Sequence, residues 1–506
     1  MSLLARTSIV SAATLASRVL GFVRDAATAA VLGVGPVADA LVAALALPLL
    51  ARRLLAEGAF NLAFIPALAR AEGEGHDGPR RLAAATLLLL LGALVAFAVV
   101  AAVFMPQVIG VLAPGFERGG ERADVAIWCG RVAVLYLPLA GLAAVYGGVA
   151  NGAHRVLLPA LAPVAANLTV LAVIAALVRD GLVASDLAAL AIAAATVAAG
   201  VAQLALMMIA ARACPAGPAL AASLPWRAAL GVMRAAFPAL LLAGMSQFRL
   251  ILVAAAVSVS PGAVAALNYA QRLMDLPLGL VGASAGAVLV PALMRRGAQD
   301  APEAAGRALV AALAFALPAA VGLAVLAHPI VVVLFQRGSF DAQDAQLTGA
   351  LLAVLALSLP AQGLERILSA TASTSGHMAA AERIALGSLG VCLVAAFGLG
   401  ALFGPLAAAG AVALSAFSSL LMLGGVLVRA GALAFSAPAL GLAGGLFVAS
   451  LTMGGGVTLL AGAWPVPEAG LAALVRLGAL IGGGMALYGG AALALKALLP
   501  KTTPAR

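Results

Sequence analysis

A chain of 506 residues that is 64% hydrophobic and only 9% charged lies far from the roughly 45–50% apolar and 25% charged composition of a soluble domain. It could not cover its own surface with polar groups, so the bilayer is its solvent and a soluble globular fold is excluded. The formal charge of +10 does not indicate a nucleic-acid binder, because the basic residues are scattered singly between apolar runs and form no stripe with interleaved aromatics.

A helix crossing ~30 Å of hydrocarbon needs about 20 mostly apolar residues. With Pro, Gly and charge clusters as punctuation, spans are expected near 8–32, 37–65, 82–105, 124–150, 159–178, 186–210 and 233–258. A second set is expected near 264–294, 305–327, 345–372, 382–402, 407–429, 437–462 and 471–497. The chain is thus an all-α polytopic membrane protein of about fourteen transmembrane helices.

Charges interrupt three of these spans. The first reads Ser17-Arg18-Val-Leu-Gly21-Phe-Val-Arg24-Asp25. These charges are unlike the uninterrupted apolar core of a cleavable signal peptide, so the segment is expected to be retained. Arg18 and Asp25, seven apart, share a helical face, and Arg24 points about 120° away unless Gly21 bends the helix. In the second span Asp39 precedes Pro48, Arg52, Arg53 and Glu57, and Arg53 and Glu57 have the i,i+4 spacing of an ion pair. The eighth reads Asn268-Tyr-Ala-Gln-Arg272-Leu-Met-Asp275-Leu-Pro277.

Lys and Arg in the short connections set orientation. With the N-terminus cytoplasmic, sixteen fall in inside segments and five outside (Arg118, Arg122, Arg179, Arg337, Arg476). Both termini are therefore expected in the cytoplasm, which requires an even number of spans. Eight further arginines lie within spans: Arg18, Arg24, Arg52, Arg53, Arg131, Arg249, Arg272 and Arg366.

Short patterns recur at one spacing. Leu137-Pro138-Leu-Ala-Gly141-Leu142 matches Leu359-Pro360-Ala-Gln-Gly363-Leu364, Pro66-Ala-Leu-Ala-Arg70 matches Pro291-Ala-Leu-Met-Arg295, and Gly152-Ala-His154 has a looser echo in Gly376-His377. A unit of six helices repeated in the same orientation follows, since an even number per repeat keeps the halves parallel. The expected plan is an N-terminal lobe, 1–215, a C-terminal lobe, 216–430, and two extra helices, 431–506. Two parallel six-helix lobes around a central cavity form a transporter architecture, in which rocking gives alternating access.

A charge at the bilayer centre costs ~2.5–3.5 kcal/mol by insertion scales, so it persists where it meets a wet cavity, a partner or a ligand. Arginine's fixed charge and planar fork suit phosphate and diphosphate. Clustered arginines from both halves point to an anionic substrate. The structural alternatives are specific. Residues 1–25 could form an interfacial helix, Arg52 and Arg53 could snorkel from a helix end with Arg53 paired to Glu57, Arg272 could pair with Asp275, and Arg131, Arg249 and Arg366 could be snorkelling or structural. Cys129, Cys214 and Cys392 are dispersed, as are His76, His154, His328 and His377, so no disulfide, metal site or cofactor is expected. The only lysines, Lys496 and Lys501, leave no P-loop, and Gly454-Gly-Gly456 and Gly482-Gly-Gly484 are close-packing surfaces. A carrier is expected, not an enzyme. A drug exporter would want carboxylates in its cavity, and a glycosyltransferase a metal-binding Asp cluster.

Ser17-Arg-Val-Leu-Gly-Phe-Val-Arg-Asp25, Asp39-Ala, Leu47-Pro-x-x-x-Arg52-Arg53-x-x-Ala-Glu57-Gly-Ala-Phe60, Ala113-Pro-Gly-Phe116, Asn268-Tyr-Ala-x-Arg272-Leu-Met-x-x-Pro277 and Leu334-Phe-Gln-x-Gly338-x-Phe340 together resemble the MurJ (MviN) family, over nearly the whole chain. The resemblance implies a lipid II flippase of the multidrug/oligosaccharidyl-lipid/polysaccharide exporter superfamily in the bacterial inner membrane. Its substrate would be the undecaprenyl-diphosphate-linked disaccharide-pentapeptide. The nearest alternative is a flippase of another polyprenyl-diphosphate-linked oligosaccharide. By resemblance, Arg18, Arg24, Arg52 and Arg272 bind substrate, Asp25, Asp39 and Glu57 balance charge or gate, and the last two helices form a groove for the lipid tail; Arg53 and Asp275, by their spacing to Glu57 and Arg272, are expected to join in balancing charge. A monomer is expected, with membrane lipids and the cell-wall synthesis machinery as partners. The chain departs from members that bind sodium through carboxylates in helices seven and eleven: helix seven offers Gln247 and Arg249, and helix eleven only Glu382 at its start. Membrane potential or protons are the expected drivers.

Overall fold

The computed structural model describes the backbone of residues 3–56, 60–75, 77–212, 214–219, 223–295, 301–464 and 470–498, and the side chains of all of these except 3–11, 56, 74, 280–295 and 495–498. No strand occurs among the described residues. In chain order the helices are α1 (Leu3–Leu32), α2 (Pro36–Ala44), α3 (Ala46–Ala51), α4 (Asn61–Ala71), α5 (Gly78–Val103), α6 (Met105–Leu112), α7 (Glu121–Ala133), α8 (Tyr136–Gly152), α9 (Leu157–Arg179) and α10 (Asp186–Arg212). Then come α11 (Trp226–Val257), α12 (Ala263–Arg295), α13 (Ala301–Val325), α14 (Ala327–Phe335), α15 (Ala342–Ala356), α16 (Leu359–Thr374), α17 (Met378–Phe403), α18 (Pro405–Arg429), α19 (Ala437–Ala463) and α20 (Leu471–Leu498).

Helices are the solution because hydrocarbon offers no water to the backbone, and every N–H and C=O must bond within its own segment. Proline sets several starts: α2, α5, α6, α16, α18 and α19 carry one in the first turn, where its missing N–H costs nothing. Among the described residues ten apolar runs are long enough to cross a bilayer, with α7 and α8 counted as one, and α15–α16, bent by 44°, makes an eleventh. Of the expected spans, those left are α1, α2–α4 and α12, the ones interrupted by charge in the sequence, while α6 and α14 are short helices that follow α5 and α13. The expected fourteen helices are compatible with this pattern.

The second span is not the continuous helix expected over 37–65. It breaks at Leu45, restarts as α3, widens into a π-helical turn at Arg52–Ala56, and continues as α4. Pro48 accounts for the weak point, since it has no N–H to return to the carbonyl of Ala44. The i→i+5 bonds of the π turn then shift which faces the following residues occupy.

Two compact units emerge: Met1–Ala265 with Arg337–Asp341, and Ala266–Gln336 with Ala342–Arg506. In the first, α11 packs on α4 and α5. Phe60 and Phe64, ring centroids 5.1 Å apart, are buried there among Leu55, Leu82, Val145 and Val232. In the second, α19 packs on α13 and α20 through a core of Leu326, Met453, Val457, Leu477 and Leu480. Gly454 lies against Val321 and Gly484 against Val457, close approaches that a side chain would block.

The repeat is visible in the backbone. The break between α5 and α6 at Phe104 recurs between α13 and α14 at Leu326. The break before Leu137-Pro138 recurs before Leu359-Pro360. The ends of α8 and α16 share one cap: Arg155 N–H donates to the Ala150 carbonyl and His377 N–H to that of Ala372, both at 2.8 Å. The left-handed residues that allow this are His154 (φ 58°) and Gly376 (φ 79°).

Candidate anion site and its flanking carboxylates

Arg24 lies on α1, one turn beyond Gly21. Its guanidinium donates to Asp25 Oδ1 from Nη2 (2.7 Å) and Nε (3.1 Å), and to Asn167 Oδ1 from Nη1 (3.0 Å). Asn167 belongs to α9, is 6% exposed, and returns its Nδ2 to the Ser17 carbonyl at 3.1 Å. The missing side chain of Gly21 leaves the amide room beside α1. Arg24 and Asp25 keep 15% and 16% of their side-chain surface exposed. Arg24 is thus a cation held through all three of its nitrogens by a carboxylate and an amide, and its fixed, planar charge suits a ligand with adjacent oxygens. Arg18, six residues earlier, is exposed.

Arg52 and Arg53 start the π turn, both half-buried. Arg53 Nη1 donates to Ser246 Oγ of α11 at 2.8 Å. Its expected partner Glu57 lies outside the described residues. Arg272 and Asp275 belong to the second unit, where Gln271 Nε2 donates to Asp275 Oδ1 at 2.9 Å.

Asp39 is fully buried and stands apart from the arginine of α1. Its Oδ2 accepts from Gly262 N–H (2.7 Å) and its Oδ1 from Ala265 N–H (2.8 Å), so a carboxylate of α2 caps the positive N-terminal end of α12. Arg122 Nη1 lies 3.5 Å from Asp39 Oδ2, and its guanidinium stands 4.7 Å from the Phe116 ring centroid. Arg122 also reaches the Gly115 and Ser258 carbonyls, while Gly115 N–H donates to Ser258 Oγ at 2.8 Å. A side chain on Gly115 would overlap the backbone at Val259. Nearby in the same unit, Ser339 N–H donates to the Ala30 carbonyl at the end of α1 (2.8 Å), and Gly338, at φ 61°, touches that carbonyl too closely for any Cβ.

The other intramembrane arginines meet backbone or are buried. Arg131 Nε donates to the Ala102 carbonyl and lies over Trp128, Arg366 Nη1 donates to that of Leu278, and Arg249 is 1% exposed. Among the described residues no group of His, Cys, Asp or Glu is arranged to hold a metal ion.

Residues 28–467 match the family described as "Lipid II flippase MurJ". The chain belongs to the lipid II flippase MurJ family. Its MurJ relatives include "Probable lipid II flippase MurJ" of Rhizobium tropici, 36% identical over 370 residues covering 71% of this chain and 69% of the relative. Another is "Lipid II flippase MurJ" of Burkholderia cenocepacia, 31% identical over 401 residues covering 77% of each. The fold is shared with a solved structure titled "Lipid II flippase MurJ, inward closed conformation", at TM-score 0.80 and 21% identity, covering 97% of this chain and 98% of that one. A more distant fold neighbour is an inward-facing multidrug resistance MATE transporter of the MOP superfamily, at TM-score 0.68 and 17% identity, covering 82% of this chain and 95% of that one. Membership of the MurJ family makes this a multi-pass transporter of the bacterial inner membrane and not an enzyme.

Sequence reasoning about this MurJ-family chain overlooked Asn167 and Ser246, and it counted Arg122 only as an outside loop charge. A lone amide within an apolar span was the available signal for Asn167. For Arg122, the signal was its place six residues after Ala113-Pro-Gly-Phe116. Glu365, a buried carboxylate on α16 that accepts from Ser419 Oγ, was also overlooked.

Proposed function

We propose that this chain moves lipid II, the undecaprenyl-diphosphate-linked disaccharide-pentapeptide, from the cytoplasmic to the periplasmic leaflet by alternating access. Lobes 1–215 and 216–430 enclose the central cavity, and helices 431–506 form the groove in which the lipid tail runs. Arg24, Arg52 and Arg272 hold the diphosphate with Arg18 nearby, while Asp25, Arg53, Glu57 and Asp275 balance the charge and Asp39 gates. The chain works as a monomer, both termini in the cytoplasm, and hands its product to the cell-wall synthesis machinery.

The observation that carries this reading is Arg24, held by Asp25 and Asn167 within a membrane helix, with part of its surface still exposed. A structural arginine instead turns to backbone and ring, as Arg131 does with its Nε on the Ala102 carbonyl and its guanidinium over Trp128. The test is depletion of this protein as the sole flippase, followed by a leaflet-specific assay of lipid II. Lipid II should accumulate in the cytoplasmic leaflet. Re-expressed Arg24→Ala should fail to clear it, with head-group binding weakened by about thirtyfold, roughly 2 kcal/mol. Unchanged lipid II export on depletion, with a different polyprenyl-diphosphate-linked glycan retained, would transfer the assignment to that substrate.

A further inference from the structure

Helix α13 carries Pro318 in its interior. A proline there has no N–H to give the carbonyl four residues back, and its ring pushes that carbonyl aside. The carbonyl so freed is that of Ala314, in a setting where an unbonded acceptor is costly. The structure supplies a donor from a different helix: Tyr488 Oη of α20 donates to Ala314 O at 2.8 Å. An outside hydroxyl thus replaces the helical bond that proline removes.

Contacts along α20 hold Tyr488 in place. Arg476, 5% exposed, donates from Nη2 to the Ala461 (2.7 Å) and Trp464 (3.1 Å) carbonyls, capping α19 and fixing α20 to it. Gly456 lies against Leu487, and Gly484 against Val457, so the two helices approach closely just where Tyr488 emerges. Tyr488 then packs on the core formed by Leu326, Met453, Val457, Leu477 and Leu480.

The internal repeat shows that this arrangement is particular to one half. With the breaks at Phe104 and Leu326 aligned, the counterpart of Pro318 is Ala96 in α5, which keeps its full hydrogen-bond ladder potential. The first half has no counterpart of the α19–α20 pair. Proline and tyrosine therefore occur together, in the half that carries the extra helices. Tyr488 also lies beyond residues 28–467, the portion matched to the family.

We infer that Tyr488 is a positioning residue that clamps the proline-weakened point of α13, so that any bending of this helix there and the docking of the C-terminal helix pair change together during transport. A helix missing one bond flexes there at little cost, and the clamp decides when it does. If the hydroxyl lets go, Ala314 is left without a donor in an apolar setting. Bending at this point is therefore tied to α20. This rests on the reading above in one respect only: the transport that the clamp serves is that of a lipid-linked substrate.

The experiment is a double-mutant cycle in the full-length chain, with Tyr488→Phe, Pro318→Ala and both together. Backbone hydrogen exchange is read across 312–322 in detergent micelles, which needs no substrate. Tyr488→Phe should speed exchange there about tenfold, the effect of one lost buried hydrogen bond. In the Pro318→Ala background, where the new N–H serves Ala314, the same change should alter exchange by less than about twofold. In a strain that depends on this chain, Tyr488→Phe should lower the maximal rate of lipid II appearance in the outer leaflet and leave head-group affinity unchanged.

Equal effects of Tyr488→Phe with and without Pro318 would overturn the inference, as would normal exchange in the single variant. Coupled exchange with an unchanged transport rate would overturn the positioning role. A wild-type chain that transports no lipid II, yet shows the coupling in exchange, would refute the substrate reading and leave the clamp standing.

Discussion

The two halves of the repeat share their punctuation and differ in their chemistry. Helix breaks at Phe104 and Leu326, and the capped ends at His154 and Gly376, recur at one spacing. The second helix of each half behaves differently: α12 is a single helix of 33 residues, whereas its counterpart is broken into α2, α3, a π turn and α4. The irregular backbone carries Arg52 and Arg53 and follows Asp39 of α2; within a membrane such backbone is tolerated where it is buried in protein or lines a cavity. Duplication has preserved the scaffold, where turns and caps tolerate many sequences, while the charged segment of the second helix has diverged. The proline of α13 is the second half's own departure, and it too is matched by a partner absent from the first.

The largest test of this contrast concerns Asp39. If the first half owns its polar chemistry, the carboxylate that caps α12 and faces Arg122 has no substitute. Asp39→Ala removes the two hydrogen bonds that its carboxylate accepts from the Gly262 and Ala265 N–H groups and leaves Arg122 without its carboxylate partner. The expected loss is ~3–5 kcal/mol of stability, read as a lower unfolding midpoint of the full chain in detergent and as poor accumulation in the membrane. An Asp39→Ala protein that melts as the unaltered chain does would break the contrast.

How much of this was legible beforehand depended on the kind of signal. Apolar runs of the right length fix where helices lie, so α9, α10 and α17 to α20 begin and end within a few residues of their expected bounds. The charges at Arg24, Asp25 and Asp39 were legible as anomalies, because a charge inside a span requires an explanation. Their partners were not legible. Asn167 lies 143 residues from Arg24, and Gly262 lies 223 from Asp39. No local periodicity encodes such distances. The broken second span was missed for a different reason: hydropathy is blind to a shift from i→i+4 to i→i+5 bonding, which depends on how Pro48 and its neighbours are satisfied. The pairing of Pro318 with Tyr488 needed both a rule about proline and knowledge of which hydroxyl stands beside it.

A smaller effect sharpens the role of the first half's site. Asn167 fixes Arg24 from a neighbouring helix while leaving its charge unchanged. Asn167→Ala removes one hydrogen bond to a charged group, worth about 1.5–3 kcal/mol. Head-group binding should weaken by about tenfold or more, while the thermal midpoint moves less than in Asp39→Ala. Titration of the purified protein with a water-soluble, short-chain lipid II analogue measures it. Loss of stability equal to that of Asp39→Ala, at unaltered affinity, would make Asn167 a packing residue and separate it from the anion site.

The smallest effect tests the scaffold that the halves share. His154 occupies the left-handed position that glycine fills at Gly376, and both sit at the same point of the same cap. A side chain at φ 58° carries a steric cost that glycine escapes, partly offset by glycine's greater freedom in the unfolded chain. His154→Gly should therefore raise stability by about 0.5–1 kcal/mol, and Gly376→Ala should lower it by about 1 kcal/mol. Paired unfolding curves on the two variants decide the matter. Opposite shifts mean that one backbone rule governs both ends. A destabilised His154→Gly would mean that the imidazole makes an interaction its counterpart lacks, and the divergence seen at the second helix would then extend to the caps.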